Sequence, residues 1–305
     1  MVYICAILLN MRCPHCTSKP PSKNELPYTN KDFKKRGFYR RKSDSRIIQR
    51  LYCKRCKKTY SHAWNDPAFN QKKRRVNYPL KQMLASCVSQ RRAAKLLGIS
   101  RTTVARKLIY LGTLCRDKHE QFLDSQHQQI DYIQFDECQT IEHTKCKPLS
   151  IAVAVAANNR KILGMTVSSM PATGHLAAIA RKKYGKRPDH RIQGLKILFK
   201  GISKSLTATP TIHSDEHPYY KPIINQFFPK ARYIQSKGVA SAVTGQGELK
   251  KTRHDPLFAI NHTLAMLRAN VNRLVRKTWC TTKKPERLAD HLAIYMDMHN
   301  VVLTV

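Results

Sequence analysis

Two apolar segments of this sequence end abruptly in an acid. IDYIQF runs into Asp136, and TPTIHS runs into Asp215. If the two segments are neighbouring strands, the two carboxylates lie close together at one edge of a sheet, where each opposes the ionisation of the other. A divalent cation between them removes that cost, and oxygen ligands of this kind suit Mg²⁺ or Mn²⁺. Such a metal site could activate a water or a 3′-hydroxyl and stabilise the leaving oxygen of a phosphodiester.

Each aspartate also has a more ordinary interpretation. Taken singly, an Asp at a strand end is often a helix cap or simply an exposed side chain. Glu137 and Glu216 directly follow the two aspartates. Because neighbouring residues of a strand point to opposite faces, we expect both glutamates to point away from the site.

The balance of charge indicates what such a site would act on. The chain has 56 Lys and Arg against 19 Asp and Glu, a formal net charge of +37, with an ordinary apolar fraction of 42%. Self-repulsion on this scale is offset when the protein works against a polyanion, because neutralising phosphates releases counterions. An anionic membrane is the competing partner, but the sequence has no long apolar span. We therefore expect a nucleic acid as the partner, double-stranded DNA or RNA, and no membrane.

Four cysteines form two closely spaced pairs, CPHC at Cys13 and Cys16 and CKRC at Cys53 and Cys56. Each pair can present two thiolates to one tetrahedral ion, which predicts one structural Zn²⁺ in a ribbon. The alternative is four buried free thiols. A basic arm with interleaved aromatic residues lies between and around the pairs and is suited to phosphate contact. The remaining cysteines show no ligand spacing and are interpreted as small apolar residues.

Residues 80–112 show the pattern of a helix-turn-helix. Apolar residues recur at helical spacing from Leu84 to Leu97 and break at Gly98, and Ser100 can cap a second helix. An ordinary helical hairpin is the alternative. On the helix-turn-helix interpretation, five residues of the second helix face a major groove, namely Arg101, Thr102, Thr103, Arg106 and Lys107.

From about residue 128 onward, strand and helix patterns alternate. Three strands are followed by a helix, a second helix, a strand, a helix and a strand, and then by a long helix with Asp255 as N-cap and Pro256 at its first position. Asn158-Asn159 reads as a two-residue hairpin turn. This order predicts an α/β layer fold with a mixed sheet and flanking helices.

The order of these elements resembles the bacterial insertion-sequence transposases of the DDE superfamily, in the group with an N-terminal zinc ribbon. The stretches that carry the resemblance are LYCKRCKKTYS, QFDECQTIEH, SDEHPYY, LRANVNRLVRKTW and HLAIYMDMHN. The resemblance implies an RNase H-like catalytic domain and two-metal DNA cleavage at element ends, followed by strand transfer. It also implies that Asp136 is the first catalytic acid and Asp215 the second.

The third metal ligand is where the sequence departs from this family. The family places a Glu on the late helix, seven residues before a basic residue on the same face. Seven residues before Arg268 lies Asn261, which can still offer a carbonyl oxygen to Mg²⁺. The rival is Glu248, 33 residues after Asp215, which could instead form a salt bridge to a nearby cation. We favour Asn261, and expect Arg268 to contact the scissile DNA end.

Three domains follow from this interpretation: a zinc ribbon with its basic arm at 1–66, a helix-turn-helix domain at 67–125 and an RNase H-like domain at 126–305. A homodimer or larger assembly on DNA is expected, because two element ends must be brought together. The apolar run at residues 1–12 lacks the basic start and the cleavage site of a signal peptide, so we expect a bacterial cytoplasmic protein associated with the nucleoid. The alternative functions are a DNA-binding regulator with a weakened active site and a nuclease that does not join DNA.

Overall fold

The computed structural model describes residues 13–16, 30–42, 44–237, 255–275 and 280–302. The chain divides into two compact units, residues 1–78 and 79–305. The helix-turn-helix segment belongs to the second unit together with the large sheet, and the three-domain division stays a prediction. Among the described residues, no helix is both long enough and apolar enough to cross a membrane.

The first unit is built on a small antiparallel sheet. Its strands are β1 (Phe33–Arg40), β2 (Ile47–Cys53) and β3 (Thr59–Ser61), in the order β1-β2-β3. One face of this sheet carries a small core in which Leu51 and Tyr60 are buried beside Cys13 and Cys53. The sheet therefore holds the second cysteine pair at the end of β2, next to the first pair.

The second unit begins within the first turn of helix α1 (Asn77–Leu84). This helix is followed by α2 (Gln90–Leu96) and α3 (Arg101–Ser125). The apolar spacing from Leu84 to Leu97 predicted one helix here, and this prediction was wrong. Cys87 has a φ of +60°, which interrupts the helix. The Ser89 hydroxyl then accepts a hydrogen bond from the Arg92 N–H and starts α2 afresh.

A five-stranded mixed sheet forms the centre of the second unit. Its strands run in the order β6-β5-β4-β7-β8. β4, β5 and β6 pair antiparallel, whereas β7 pairs parallel with both β4 and β8. Their bounds are β4 (Ile130–Glu142), β5 (Thr144–Ala156), β6 (Ile162–Ser169), β7 (Leu206–Asp215) and β8 (Arg232–Ser236). The predicted mixed α/β sheet is thus confirmed.

Helices cover both faces of this sheet. They are α4 (Leu176–Tyr184), α5 (Arg191–Ile202), α6 (Tyr220–Phe227), α7 (Phe258–Asn270) and α8 (Pro285–Val302). Phe135 of β4 points into the core on one face, where it packs edge-on against Phe199 of α5 and beside Tyr220 of α6. Gln134 points to the other face and contacts the start of α7. Successive side chains of β4 therefore face the apolar core on one side of the sheet and the start of α7 on the other.

Two local predictions in this unit were wrong. Helix α7 begins at Phe258 rather than at Pro256, with Asp255 instead accepting a hydrogen bond from the Leu257 N–H just before it. The turn after β5 has its left-handed residue at Arg160, with a φ of +60°, so the bend is wider than a two-residue Asn158-Asn159 turn.

Helix α3 packs along α8. Gly112 of α3 lies so close to Asp290 of α8 that a Cβ added at Gly112 would stand 2.7 Å from the Cβ of Asp290. The buried Asp290 carboxylate pairs with Arg116 of α3 at 2.9 Å, and His291 bonds the Leu84 carbonyl at 2.7 Å. These contacts join α1 and α3 to the C-terminal helix.

Candidate functional site

The parallel pairing of β4 with β7 positions the two predicted catalytic aspartates. The last residues paired in this register are Gln134 on β4 and His213 on β7. Asp136 and Asp215 each lie two residues further along their strands, so they are neighbours on the same face at the edge where the parallel pairing of β4 and β7 ends. The expectation that the first strand stops at Asp136 was wrong, because β4 continues to Glu142 through its pairing with β5. The neighbouring strand β8 supports this edge, because it pairs with β7 up to Asp215.

The two carboxylates share an environment that disfavours their charge. Burial raises the pKa of Asp136 to about 7, and the charges of Asp215 and Glu137 act in the same direction. Burial also raises the pKa of Asp215, with the charge of Glu137 adding to the effect and His217 opposing it. Two carboxyl groups with raised pKa values at one sheet edge are the electrostatic pattern of a functional site.

Unused hydrogen-bonding atoms mark the same edge. The Oδ1 atom of Asp215 and the Nδ1 atom of His217 are buried and have no hydrogen-bond partner among the described residues. A buried carboxylate oxygen without a partner is costly, and a bound cation removes that cost. The pair Asp136 and Asp215 therefore fits a divalent metal ion with oxygen ligands.

The carboxylate of Glu137 lies on the other face of the sheet. It accepts hydrogen bonds from the hydroxyls of Tyr219, Tyr220 and Ser150, with the Ser150 bond at 2.8 Å. The guanidinium of Arg191, at the start of α5, lies 5.4 Å from the centre of the Tyr219 ring. Glu137 thus fixes the aromatic residues that follow Asp215 and is itself fully engaged.

Of the two residues predicted on α7 to serve the site, Arg268 acts electrostatically on Asp136, whereas Asn261 forms its hydrogen bond elsewhere. Arg268 lies near enough to Asp136 that its positive charge acts to lower the pKa of that carboxyl group. Asn261 is exposed, and its amide donates a hydrogen bond to Asp255 Oδ2 at 2.9 Å. Its hydrogen bonding within the described residues involves neither Asp136 nor Asp215. The rival ligand Glu248 lies outside the described residues.

The four predicted zinc ligands come together in the first unit. Their Sγ atoms all lie within 4.8 Å of one another, with Cys13 and Cys56 at 3.6 Å and Cys16 and Cys53 at 3.9 Å. Four sulfurs around one tetrahedral Zn²⁺ would be about 3.8 Å apart, since the Zn–S bond is about 2.3 Å. Burial raises the pKa of Cys13 to about 12, a cost that a bound cation would reverse. The cluster is therefore close enough to bind a metal ion such as zinc.

Among the described residues, no other group of three or more His, Cys, Asp or Glu side chains is close enough to hold a metal ion. In the described part of the chain, Asp136 and Asp215 are therefore not joined by a third His, Cys, Asp or Glu side chain at metal-binding distance.

Helix α3 is the second helix of the helix-turn-helix, and the residues predicted to face DNA differ in how exposed they are. Ser100 caps it as predicted, by accepting a hydrogen bond from the Thr103 N–H at 3.2 Å. Arg101, Thr102 and Arg106 are exposed, and Thr103 is half-buried. Lys107 is only 5% exposed and lies on the side of the helix that packs with Val104 and Leu108, so the prediction that it faces DNA was wrong. Its position follows the buried stripe of the helix rather than the exposed one.

Several residues around the acidic site were missed by the sequence analysis. Gln134 contributes a buried amide that holds α7 against β4, and Tyr219 and Arg191 cover the edge of the sheet beside Glu137. The signal for Gln134 was its place two residues before Asp136, on the same strand face. The signal for Tyr219 was its place four residues after Asp215. Arg191 had no local signal, because only the tertiary fold brings α5 to this edge.

Comparison with known proteins identifies a helix-turn-helix segment. Residues 80–109 match the family model described as "Bacterial regulatory protein, Fis family". Among solved structures, the chain is similar to "Crystal structure of a pre-cleavage Mos1 transpososome", with 9% identity and a TM-score of 0.18 over 74% of this chain and 78% of that one. No curated protein sequence matches the chain significantly. A DNA-binding helix-turn-helix that resembles those of Fis-family regulators therefore lies within α1–α3.

Proposed function

We propose that this protein is a DNA transposase that binds insertion-sequence ends and cleaves and joins DNA at the Asp136–Asp215 edge. The observation that carries the proposal is that these two carboxyl groups are neighbours on adjacent parallel strands, and that a buried oxygen of Asp215 has no hydrogen-bond partner within the described part of the chain. The order of three antiparallel strands followed by two parallel ones supports the RNase H-like fold that the sequence resemblance implies. The Fis-like helix-turn-helix supports the DNA-binding part.

In this proposal Asp136 and Asp215 hold two Mg²⁺ or Mn²⁺ ions, with Asn261 or Glu248 as the third ligand, and the cysteine cluster holds Zn²⁺. When bound, the divalent ions supply Lewis-acid activation at the phosphodiester. The hydrogen bond of Asn261 to Asp255 uses its Nδ2 atom, so Oδ1 is the Asn261 atom that would serve as the ligand.

The residues around the acids have their own proposed roles. Arg268, whose charge acts on Asp136, binds the phosphate of the scissile end. Glu137 holds Tyr219 and Tyr220 in place on the other face, so it positions the segment after Asp215 and does not touch the reacting phosphate. Assembly as a dimer or larger on DNA is part of the proposal, since two ends are joined in one event.

The test uses the full-length protein and DNA that carries the sequences flanking its reading frame, with a supercoiled plasmid as the target. Joined products that need Mg²⁺ or Mn²⁺ are expected from the wild type. Asp136→Asn and Asp215→Asn should lose on the order of 100-fold or more of this activity, because each removes a charged metal ligand. Binding of the end DNA should be unchanged in both variants.

Glu216→Gln is the matched control. Glu216 adjoins Asp215 and is exposed. The substitution therefore removes one negative charge, as the Asp variants do, without removing a proposed metal ligand. Its joining activity should stay near that of the wild type. Full joining activity in both Asp variants would remove the assignment, and metal-dependent cutting without joined products would favour a nuclease.

One observation favours a second function. Asn261 is exposed and hydrogen-bonded to Asp255, so the third ligand position is not engaged at the acidic edge. This placement is consistent with a DNA-binding regulator that retains the helix-turn-helix but has a weakened active site. Asn261→Glu separates the two functions. A gain in DNA cleavage supports a weakened enzyme. If both the wild type and Asn261→Glu are inactive in cleavage, the result supports the DNA-binding regulator.

A further inference from the structure

The small sheet of the first unit has two very different faces. On β2, Leu51 and Cys53 are buried in the cysteine core, whereas Arg50 and Tyr52 alternate with them and point to the opposite face. Tyr60 of β3 pairs with Leu51 and shares the buried face. The face opposite the cysteine cluster is therefore free of the core and open to solvent.

Two arginine–tyrosine pairs lie on this open face. The Arg36 guanidinium lies 5.6 Å from the centre of the Tyr52 ring, and the Arg50 guanidinium lies 5.3 Å from the centre of the Tyr39 ring. We refer to these four residues as the arginine–tyrosine face. Stacking on a ring holds a guanidinium flat and leaves its N–H edge available.

Hydroxyl groups on β3 fix this arrangement. Arg36 donates a hydrogen bond to the Thr59 hydroxyl at 3.3 Å, and the Tyr39 hydroxyl bonds that of Ser61 at 2.9 Å. Each contact spans the three strands, because β2 lies between β1 and β3. The arginine–tyrosine face is thus built from all three strands rather than from one flexible segment.

A β-bulge brings the two arginines together. Arg36 and Gly37 both lie opposite Arg50, because the register of β1 and β2 shifts between Lys35 and Phe38. Gly37 takes a φ of +70°, and its carbonyl accepts a hydrogen bond from Gln49 at 2.7 Å. Two like charges opposite each other on a sheet repel, and a bound anion would relieve that repulsion.

The acids of the first unit do not provide that anion. Its described residues contain three carboxylates, and each forms salt bridges with arginines other than Arg36 and Arg50. Asp32 pairs with Arg55, and the remaining pairs join Asp44 with Arg41 and Arg46, and Asp66 with Arg41 and Arg74. Within these residues, Arg36 and Arg50 are exposed and have no carboxylate partner.

We infer that the arginine–tyrosine face is a second DNA-binding surface, separate from the helix-turn-helix, which grips the phosphate backbone of a duplex. Planar guanidinium groups held in a fixed orientation suit phosphate oxygens, and they contact the backbone without reading bases. The inference goes beyond the proposed catalytic function, because it requires neither the acidic edge nor any cleavage.

The test measures binding of the full-length protein to a mixed-sequence DNA duplex across a range of salt concentrations. Arg36→Gln/Arg50→Gln should lower the slope of log K against log salt by about 1.8, since each phosphate contact contributes about 0.9. As the salt concentration rises from about 50 to about 200 mM, the ratio of the wild-type binding constant to that of this variant should therefore fall about tenfold.

Lys35→Gln/Arg40→Gln is the charge-matched comparison. Both residues are exposed on β1, and their pairing with Leu51 and Ile47 places them on the cysteine side of the sheet. This variant loses the same two charges and should keep the wild-type slope. Equal reductions in the two variants, or no reduction in either, would overturn the inference.

Two tyrosine variants test the stacking. Tyr39→Leu removes the ring under Arg50 and should weaken DNA binding, whereas Tyr39→Phe keeps the ring, loses only the hydrogen bond to Ser61, and should bind more tightly than Tyr39→Leu. Bound metal and the unfolding temperature are measured for every variant, so that a loss of binding can be separated from a loss of fold. Normal binding by a correctly folded Tyr39→Leu would contradict the stacking role.

Discussion

The side-chain amide of Gln134 ties strand β4 to the start of helix α7. Its Oε1 atom accepts a hydrogen bond from the Ile260 N–H at 3.1 Å, and its Nε2 atom donates to the Pro256 carbonyl at 2.9 Å. Gln134 is only 4% exposed and stands two residues before Asp136 on the same face. The contact therefore fixes where α7, which carries Arg268, begins relative to Asp136.

Gln134→Leu should destabilise the protein by about 2–4 kcal/mol, because it leaves a buried N–H and a carbonyl without their partner, at about 1–3 kcal/mol each. Chemical denaturation gives the free energy of unfolding. Gln139→Leu is the control, since Gln139 is exposed on the same strand and should change stability by less than about 0.5 kcal/mol. Equal stability of the two variants would show that the amide contacts do not hold α7.

The raised pKa of Asp136 predicts a pH-dependent stability in the absence of metal. The pKa is about 7 in the folded protein against a usual value of 3.8, so between these values the folded state binds a proton that the unfolded state releases. Stability should then fall as the pH rises from about 4 to about 7, and stay at the lower level above that window.

Asp136→Asn removes this titration. In the presence of a chelator, the unfolding free energy of Asp136→Asn minus that of the wild type should increase as the pH rises from about 4 to about 7. The increase should be on the order of 1 to 4 kcal/mol. Denaturation at about pH 5 and about pH 8 measures the difference. Asp131→Asn, which removes an exposed carboxylate from the same strand, is the control. A constant difference at the two pH values would contradict the prediction.

Cys13→Ser should abolish metal binding at the cysteine cluster and unfold the small sheet, because the core of that sheet consists largely of the metal ligands and two other residues. Elemental analysis should show about one zinc ion per chain in the wild type and none in the variant. Cys146→Ser should retain the zinc, since Cys146 is not part of the cluster. Retention of zinc by Cys13→Ser would contradict the assignment of this ligand.

Gly112→Ala should destabilise the packing of α3 on α8 by about 1–3 kcal/mol. The added Cβ would lie 2.8 Å from the backbone Cα of Asp290, so the helices must move apart. Gly201→Ala is the control, because nothing lies within 4 Å of its new Cβ, and the gain in helix propensity should stabilise α5 by up to about 1 kcal/mol. Thermal unfolding of the two variants should shift in opposite directions.

The sequence allowed the sheet and its acidic edge to be predicted because the relevant signals are local. An apolar run precedes each of Asp136 and Asp215, although only β7 ends at its acid, whereas β4 continues to Glu142. The four clustered cysteines are marked by their paired spacing. The cap at Ser100 was predictable for the same reason, since a serine directly before a helical pattern can satisfy the first free N–H groups.

The remaining features depend on tertiary contacts that leave little trace in the sequence. The break at Cys87 could not be predicted, because the Cys87 N–H bonds the carbonyl of Asn270, far along the chain. Lys107 was predicted to face DNA because of its charge, but the packing of α3 decides which side of the helix is covered. The placement of Asn261 follows from its contact with Asp255, which the spacing to Arg268 did not reveal.

Helix α3 runs without interruption from Arg101 to Ser125, a length of about 37 Å. Its first turns carry Arg101 and Arg106, whereas its later part is anchored to the body of the second unit through Asp290 and through His119, which bonds the Leu163 carbonyl of β6 at 2.7 Å. Under the proposed function, the length of this helix would set the distance between the base pairs that its first turns contact and the strand edge that carries Asp136. Adding or removing a turn of α3 should then move the cleavage position along the DNA while leaving the recognised sequence unchanged.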